Sequence, residues 1–259
     1  MRPLILIAAL IFSIPSFGQD TLKQNTPRTE FKRLLFGVNI SPDYCFRTLV
    51  NKYGSSTSSY IIDLRDTIEI PKISFTAGLN ICYNFSKHLG IEAGLQYSNK
   101  GYGGKNLELT FGDAIDPRYG YPSTSSASAG PVPTKVKFIY NYIYLDIPIR
   151  AIYSFGKKRI HGVASFGLAT NILVKATQTN ILEYDNGDVK RQTYNQQENF
   201  NSVNISPIVS LGVDYRISNK INLRVEPTLR YGILTIIDAP VTANLWNAGL
   251  NISCYYQLK

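Results

Sequence analysis

Between residues 73 and 98 the chain alternates between apolar and polar positions almost without interruption. Ile73, Phe75, Ala77, Leu79, Ile81, Tyr83 and Phe85 alternate with Ser74, Thr76, Gly78, Asn80, Cys82 and Asn84. Beyond a short break, Leu89, Ile91, Ala93, Leu95 and Tyr97 alternate with Gly90, Glu92, Gly94, Gln96 and Ser98. Successive strand side chains point to opposite faces, so a period of two predicts strands with one apolar and one polar face. The break is YNFSKH at 83–88, and its relatives YSFGKK at 153–158 and YRISNK at 215–220 also sit between alternating runs, as tight hairpins require. A truncated copy, YQLK, occupies 256–259. Extending the rule predicts eight strands, over 33–47, 73–86, 88–101, 137–155, 159–174, 203–218, 220–233 and 244–258. Their connections alternate between short turns at the repeated units and long segments at 48–72, 102–136, 175–202 and 234–243. No helix is expected, because windows rich in Ala, Leu, Glu and Lys are missing.

The contents of the polar face decide what surrounds such a sheet. In INLRVEPTLRYGI (221–233), Arg224, Glu226 and Arg230 share one face. Neighbouring strands add Asp214 and Arg216, Asp146 and Arg150, and Glu92, among small and amide residues such as Gly78, Asn80, Gly94, Gln96, Ser165, Ser210, Asn247 and Asn251. A soluble ligand-binding barrel, the alternative fold, would turn its apolar face inward and show water a surface richer in Lys and Thr. Opposite charges set among small residues instead suit a narrow polar interior with lipid outside. The expected fold is therefore all-β: an eight-stranded antiparallel up-and-down transmembrane β-barrel with short periplasmic turns and long extracellular loops. Tyr83, Phe85, Tyr153, Phe155, Tyr215 and Tyr256 fall on the apolar face beside the short turns, as one interfacial aromatic girdle would, and Tyr231 and Trp246 suit the opposite rim. Pro227, Pro148 and Pro207 cannot donate to a ladder, so each predicts a bulge or an unpaired site.

The opening MRPLILIAALIFSIPSFGQD has a charge, an apolar run too short to span a bilayer, and a small-residue exit, the build of a secretory signal peptide. The expected organisation is a signal peptide at 1–18, a periplasmic segment at 19–32 and the barrel at 33–259. The net charge of +9 is one a nucleic-acid binder would also carry, but the basic residues form no single arm or helix, and no nucleic-acid partner is expected. Lys23, Arg28, Lys32, Arg33, Lys87, Lys157, Lys158, Arg159, Lys220 and Lys259 gather on the short-turn side, against only Asp20 and Glu30. That places the excess at the periplasmic rim, facing anionic lipid. Cys45, Cys82 and Cys254 are odd in number and irregularly spaced, which points to neither disulfides nor zinc.

No catalytic, cofactor-binding or metal site is expected. His161 could stand beside Ser165 and an inward carboxylate, but strand parity alone does not position a triad. GYGGK at 101–105 leads into no helix, so it reads as a flexible loop base and not a phosphate loop. An eight-stranded interior is only wide enough for its own side chains. Glu92, Asp146, Arg150, Asp214, Arg216, Arg224, Glu226 and Arg230 are thus expected to form a plugging ion network in a non-enzymatic envelope protein. A narrow channel or a component of a secretion complex is the alternative. Expected partners are outer-membrane lipid and lipopolysaccharide, with protein partners at loops 102–136 and 175–202. In the latter, Asn186-Gly187 predicts a hairpin whose edge can take up a strand.

NYIYLDIPIRAIYSFG at 141–156 resembles the central strand of PorT-like outer-membrane β-barrel proteins of Bacteroidota, with an aromatic, Leu, an acid and Pro leading into a long apolar strand and a Gly/Lys turn. GIEAGLQYSNKG (90–101), VSLGVDYRISNKINLRVEPTLRYGI (209–233) and NAGLNISCYY (247–256) extend the likeness over nearly the whole chain. The resemblance implies an outer-membrane barrel of the porin family, some of whose members serve secretion or gliding.

Overall fold

The computed structural model describes residues 33–109, 131–156, 159–196 and 200–258. The expected signal peptide and periplasmic segment lie outside these residues, as does most of loop 102–136. In chain order the elements are β1 (Leu34–Asn51), α1 (Ser56–Ile68), β2 (Glu69–Asn84), β3 (Leu89–Gly104), β4 (Leu107–Glu108), β5 (Pro133–Phe155), β6 (Ile160–Tyr184), β7 (Val189–Asn195), β8 (Val203–Arg216), β9 (Ile221–Tyr231) and β10 (Val241–Gln257). Eight of the strands pair in sequence as β1-β2-β3-β5-β6-β8-β9-β10, all antiparallel, and β10 returns to β1. β4 and β7 only prolong β5 and β6 beyond the ring.

The register fixes the shape of the ring. From Leu35, successive partners are Cys82, Glu92, Arg150, Gly167, Ile208, Arg230 and Asn247, and the path rejoins β1 at Cys45, ten residues along. A stagger of that size in eight strands tilts them by about 40° and leaves an interior that side chains fill. Every second residue points into that interior and is buried, while the residues between are apolar and exposed, such as Val38, Leu79, Leu95, Leu211 and Leu229. No described helix is long and apolar enough to cross a membrane, which says nothing about strands.

Two expectations about the connections change and one holds. The segment 48–72 contains α1, whose N-cap Ser55 accepts a bond from the Ser58 amide and whose second half is braced by the Arg65–Glu69 pair one turn apart. The capping serine and the i,i+4 pair support a helix despite its β-branched residues. GYGGK is no flexible base: β3 continues through Gly104, and 101–104 are buried. The expected hairpin at Asn186-Gly187 forms between β6 and β7, with Gly187 at φ 84° and the Asn186 side chain accepting from the Asp188 amide.

The prolines interrupt pairing without shifting it. On the β10 side Pro227 stays in register opposite Leu250, but toward β8 the pairing skips from Ser210–Thr228 to Val213–Val225. Pro148 likewise pairs with Ala169 of β6 and falls in the gap between Ala93–Ile149 and Gln96–Asp146 on β3. Pro207 lies just beyond the end of the β8–β9 pairing. Each missing donor therefore costs one local interruption on one side of its strand, and the bulge alternative does not occur at these residues.

Gly101 tests the corrected reading of GYGGK. It adopts φ 140°, and an added Cβ would lie 2.0 Å from the Tyr140 carbonyl oxygen. Gly101→Ala should lower barrel stability by about 1–3 kcal/mol, read as an earlier urea midpoint. An unchanged midpoint would mean that the segment is as loose as first expected.

Candidate functional site

The lumen is built in layers. At the short-turn end Leu35, Cys82, Ile152, Val163 and the ring of Tyr255 form a buried apolar cluster. Above it lies the charged layer, centred on Glu92. Its carboxylate accepts bonds from Arg150, from Arg224 Nη1 at 3.0 Å and from the Tyr255 hydroxyl at 2.6 Å. Arg224 also donates from Nε to Asp214 at 3.2 Å, and its guanidinium lies 4.5 Å from the centre of the Tyr255 ring. Arg150 reaches Glu226 at 3.6 Å, and Glu226 further accepts from Ser210 at 2.8 Å and Asn251 at 3.4 Å.

A second carboxylate, Asp43, gathers Thr76 at 2.5 Å, Ser41 at 2.7 Å, Asn247 at 3.0 Å and Arg230 at 3.4 Å. A third, Asp146, takes Asn171 at 2.7 Å and Lys100 at 3.1 Å. Next to Lys100 is a cavity of about 10 Å³, also lined by Tyr144, Asn171, Asn204, Ser206 and Asn247, which is room for about one water molecule. The long-loop end is then closed by Tyr102, Tyr142, Tyr144, Leu173, Ile236 and Leu245 with Phe46 and Phe200 against them. Over this lid α1 is tied down by Arg47, which bonds Asp66 and, at 2.6 Å, Glu69, and by Arg65, which bonds Glu69 at 2.7 Å and the Tyr102 hydroxyl at 2.9 Å.

Eleven charged residues are buried among the described residues, five basic and six acidic. The partly exposed Arg65 balances the remainder through Glu69. Such balance is what a dehydrated interior demands, because an unpaired buried charge costs several kcal/mol while a bonded pair roughly breaks even.

Of the expected network, Glu92, Asp146, Arg150, Asp214, Arg224, Glu226 and Arg230 are all buried and each bonds another charged group, though in three separate clusters. Arg216 is the correction: at the last residue of β8 it is half-buried and joins no ion pair among the described residues, because the interior ends there. Sequence reasoning missed Asp43, Arg47, Glu69, Lys100 and the role of Tyr255. Asp43 and Arg47 share the polar parity of Asn39 and Ser41, so the alternation carried that signal. Ser165 hydrogen-bonds Ser210 at 2.6 Å and accepts from Arg150 at 3.3 Å. These contacts, and not His161, engage its hydroxyl.

Outside, Tyr83, Phe85, Tyr153, Phe155, Tyr215 and Tyr256 are all exposed near the short turns, with Tyr83 and Phe85 edge-to-face at 5.3 Å and Tyr153 and Phe155 stacked at 6.3 Å. Trp246 lies opposite Tyr231 at the other end and packs against Tyr44 at 6.2 Å and Phe46 at 6.3 Å. Residues 17–237 match the model of the outer membrane protein beta-barrel domain. The chain belongs to this family.

The protein is accordingly an outer-membrane barrel, with its apolar belt toward lipid. Solved structures similar to it include Neisserial surface protein A (12% identity, covering 87% of this chain and 97% of that one, TM-score 0.41). OprG of Pseudomonas aeruginosa is 10% identical over 88% of this chain and 97% of its own, with a TM-score of 0.39. The outer membrane protease OmpT of Escherichia coli is 10% identical over 87% and 95%, with a TM-score of 0.37. No curated protein matches the chain.

Glu92→Gln tests whether the barrel leans on its charged layer. The substitution keeps the shape but strips the counter-charge from two buried arginines, so it should cost about 3–5 kcal/mol. Tyr255→Phe, which removes one hydroxyl donor, should cost about 1–3 kcal/mol. Urea unfolding in lipid vesicles followed by Trp246 fluorescence measures both, and equal small losses would contradict the layered account.

Proposed function

We propose that this barrel is a closed, non-enzymatic protein of the outer membrane with a structural, adhesive or accessory role at the cell surface. The observation that supports it is the lumen, shut by an apolar cluster at one end, by an aromatic lid at the other, and by bonded charges between. A conducting path would need water around those charges, and a hydrolytic one would need a carboxylate, base and nucleophile free to meet a substrate. Here the carboxylates hold arginines and Ser165 holds Ser210.

What the scaffold offers instead lies above the lid. β6 and β7 form a hairpin whose outer strand pairs only with β6 among the described residues, and α1 exposes Tyr60 and Leu64 one turn apart. Both stand on the long-connection side, where surface recognition concentrates on loops held by a rigid frame. The likeness of 141–156 to PorT-like proteins of Bacteroidota supports an envelope role of this accessory kind, reached by a chain secreted through its first 18 residues. The loops 102–136 and 175–202 are its proposed protein-binding region.

Planar-bilayer recording tests the closed lumen. The reconstituted protein should give no stable conductance steps at physiological salt, whereas reproducible steps lost in a lumen-charge variant such as Arg230→Gln would establish the channel alternative.

A further inference from the structure

Of three register shifts among the described strands, one lies at the outer end of β5 between Pro133 and Lys135, and the other two, within the ring, each display a lysine. In β2 one residue is added between Pro71 and Phe75, where Lys72 lies. In β6 the pairing with β5 runs from Tyr144–Leu173 to Ile143–Lys175, so Val174 is the added residue, and Val174 and Lys175 are both exposed. Bulges re-aim side chains, and here they place cations where strict alternation would put lipid-facing or lumen-facing residues.

The Lys72 ammonium is held by acceptors alone: Asn141 Oδ1 at 2.6 Å, Asn99 Oδ1 at 3.0 Å and the Lys100 carbonyl at 3.4 Å. Lys72 stands opposite the interior Cys45 on β1, but its ammonium reaches across β3 to Asn99 and Asn141, which have the outward parity of Tyr97 and Ile147, so the amine sits at the outer wall of the barrel. Among the described residues neither Lys72 nor Lys175 pairs with a carboxylate, whereas Lys100 and Lys135 each do. The height is set by neighbours. Ile73 pairs with Tyr44, which packs on Trp246, and just below it Phe75 stacks on Tyr97 at 5.8 Å. Ile73 itself is 74% exposed. Lys175 opposes Ile143, two residues along β5 from Asn141, which puts its Cα about 8 Å from that of Asn141 across one strand spacing.

We propose that Lys72 and Lys175, with Asn99 and Asn141 between them, form a site on the outer wall for the phosphorylated sugar headgroup of lipopolysaccharide. A half-buried ammonium held only by neutral amide and carbonyl oxygens has no counter-charge among the described residues, and in a membrane an anion can supply it. At this height, immediately above an apolar and aromatic wall, the anion available is a lipid phosphate whose acyl chains cover Ile73 and Phe75. Lys175 on β6, one strand beyond Asn141, reaches the same headgroup. The site rests on the outward orientation of the long connections and not on the closed lumen.

Native mass spectrometry of the full-length, detergent-released protein tests it, with bisphosphorylated lipid A, dephosphorylated lipid A and phosphatidylglycerol as probes. Bisphosphorylated lipid A should bind about tenfold more tightly than either other lipid, a difference on the scale of losing charge-assisted contacts. Lys72→Gln with Lys175→Gln should abolish that preference, as should Asn141→Asp, which sets a carboxylate beside the amine. Lys175→Gln alone, at an exposed side chain, should weaken binding even if changes at the β2 bulge disturb folding. Unaltered lipid A binding by these variants would overturn the site, and so would phosphatidylglycerol binding as tightly as lipid A. A barrel that conducts yet keeps the preference would refute the closed lumen and leave this site standing.

Discussion

The structure depends on one buried carboxylate and the three groups that converge on it. Glu92 on β3 receives Arg150 from β5, Arg224 from β9 and Tyr255 from β10, and so ties together strands on opposite sides of the ring. The constraint behind it is the solvent. With lipid outside, a charged side chain on the barrel wall can go only inward or to the rims. Once inward it loses water, and only bonded partners of opposite sign make its burial tolerable. The strands are rich in charge because that interior needs matched pairs in place of an apolar core.

This constraint organises the rest. A ten-residue stagger round eight strands sets an interior of one side-chain width, so the polar faces of β3, β5, β9 and β10 meet across it. Apolar and aromatic residues then seal the two ends, where strand tilt brings Tyr102, Tyr142 and Tyr144 together above and Leu35, Ile152 and Val163 below. The lid is itself a foundation: Arg47 and Arg65 pin α1 to it through Glu69, Asp66 and Tyr102. Closure of the lumen and presentation of an outer platform are thus one design, since the groups that plug the mouth also hold what stands on it.

Much of this was legible in the sequence because lipid and lumen enforce a strict period of two. Strand number, order and inward charges follow from parity, as Glu92, Arg150 and Arg224 illustrate. The reading weakened wherever that period broke. α1 carries Ile61, Ile62, Thr67 and Ile68, which favour strands, and its formation rests on the Ser55 cap and on ion pairs to residues distant in sequence. Glu69 was lost with it, being assigned to a connection. Lys72 and Lys175 were likewise assigned to connections, and in the structure they stand at bulges, where one added residue disturbs the alternation of faces. Arg216 had inward parity but lies at the very end of its strand, where parity no longer implies burial.

The native cysteines give the most direct measure of the sealed lumen. Cys45 and Cys82 face the interior at 1% and 0% exposure, while Cys254 is exposed on the lipid side. In the folded, reconstituted barrel a charged, water-soluble thiol reagent should leave Cys45 and Cys82 unmodified, while a small apolar maleimide labels Cys254. All three should react after unfolding. Rapid modification of Cys45 or Cys82 by the charged reagent in the folded state would show a water-filled lumen and contradict the account.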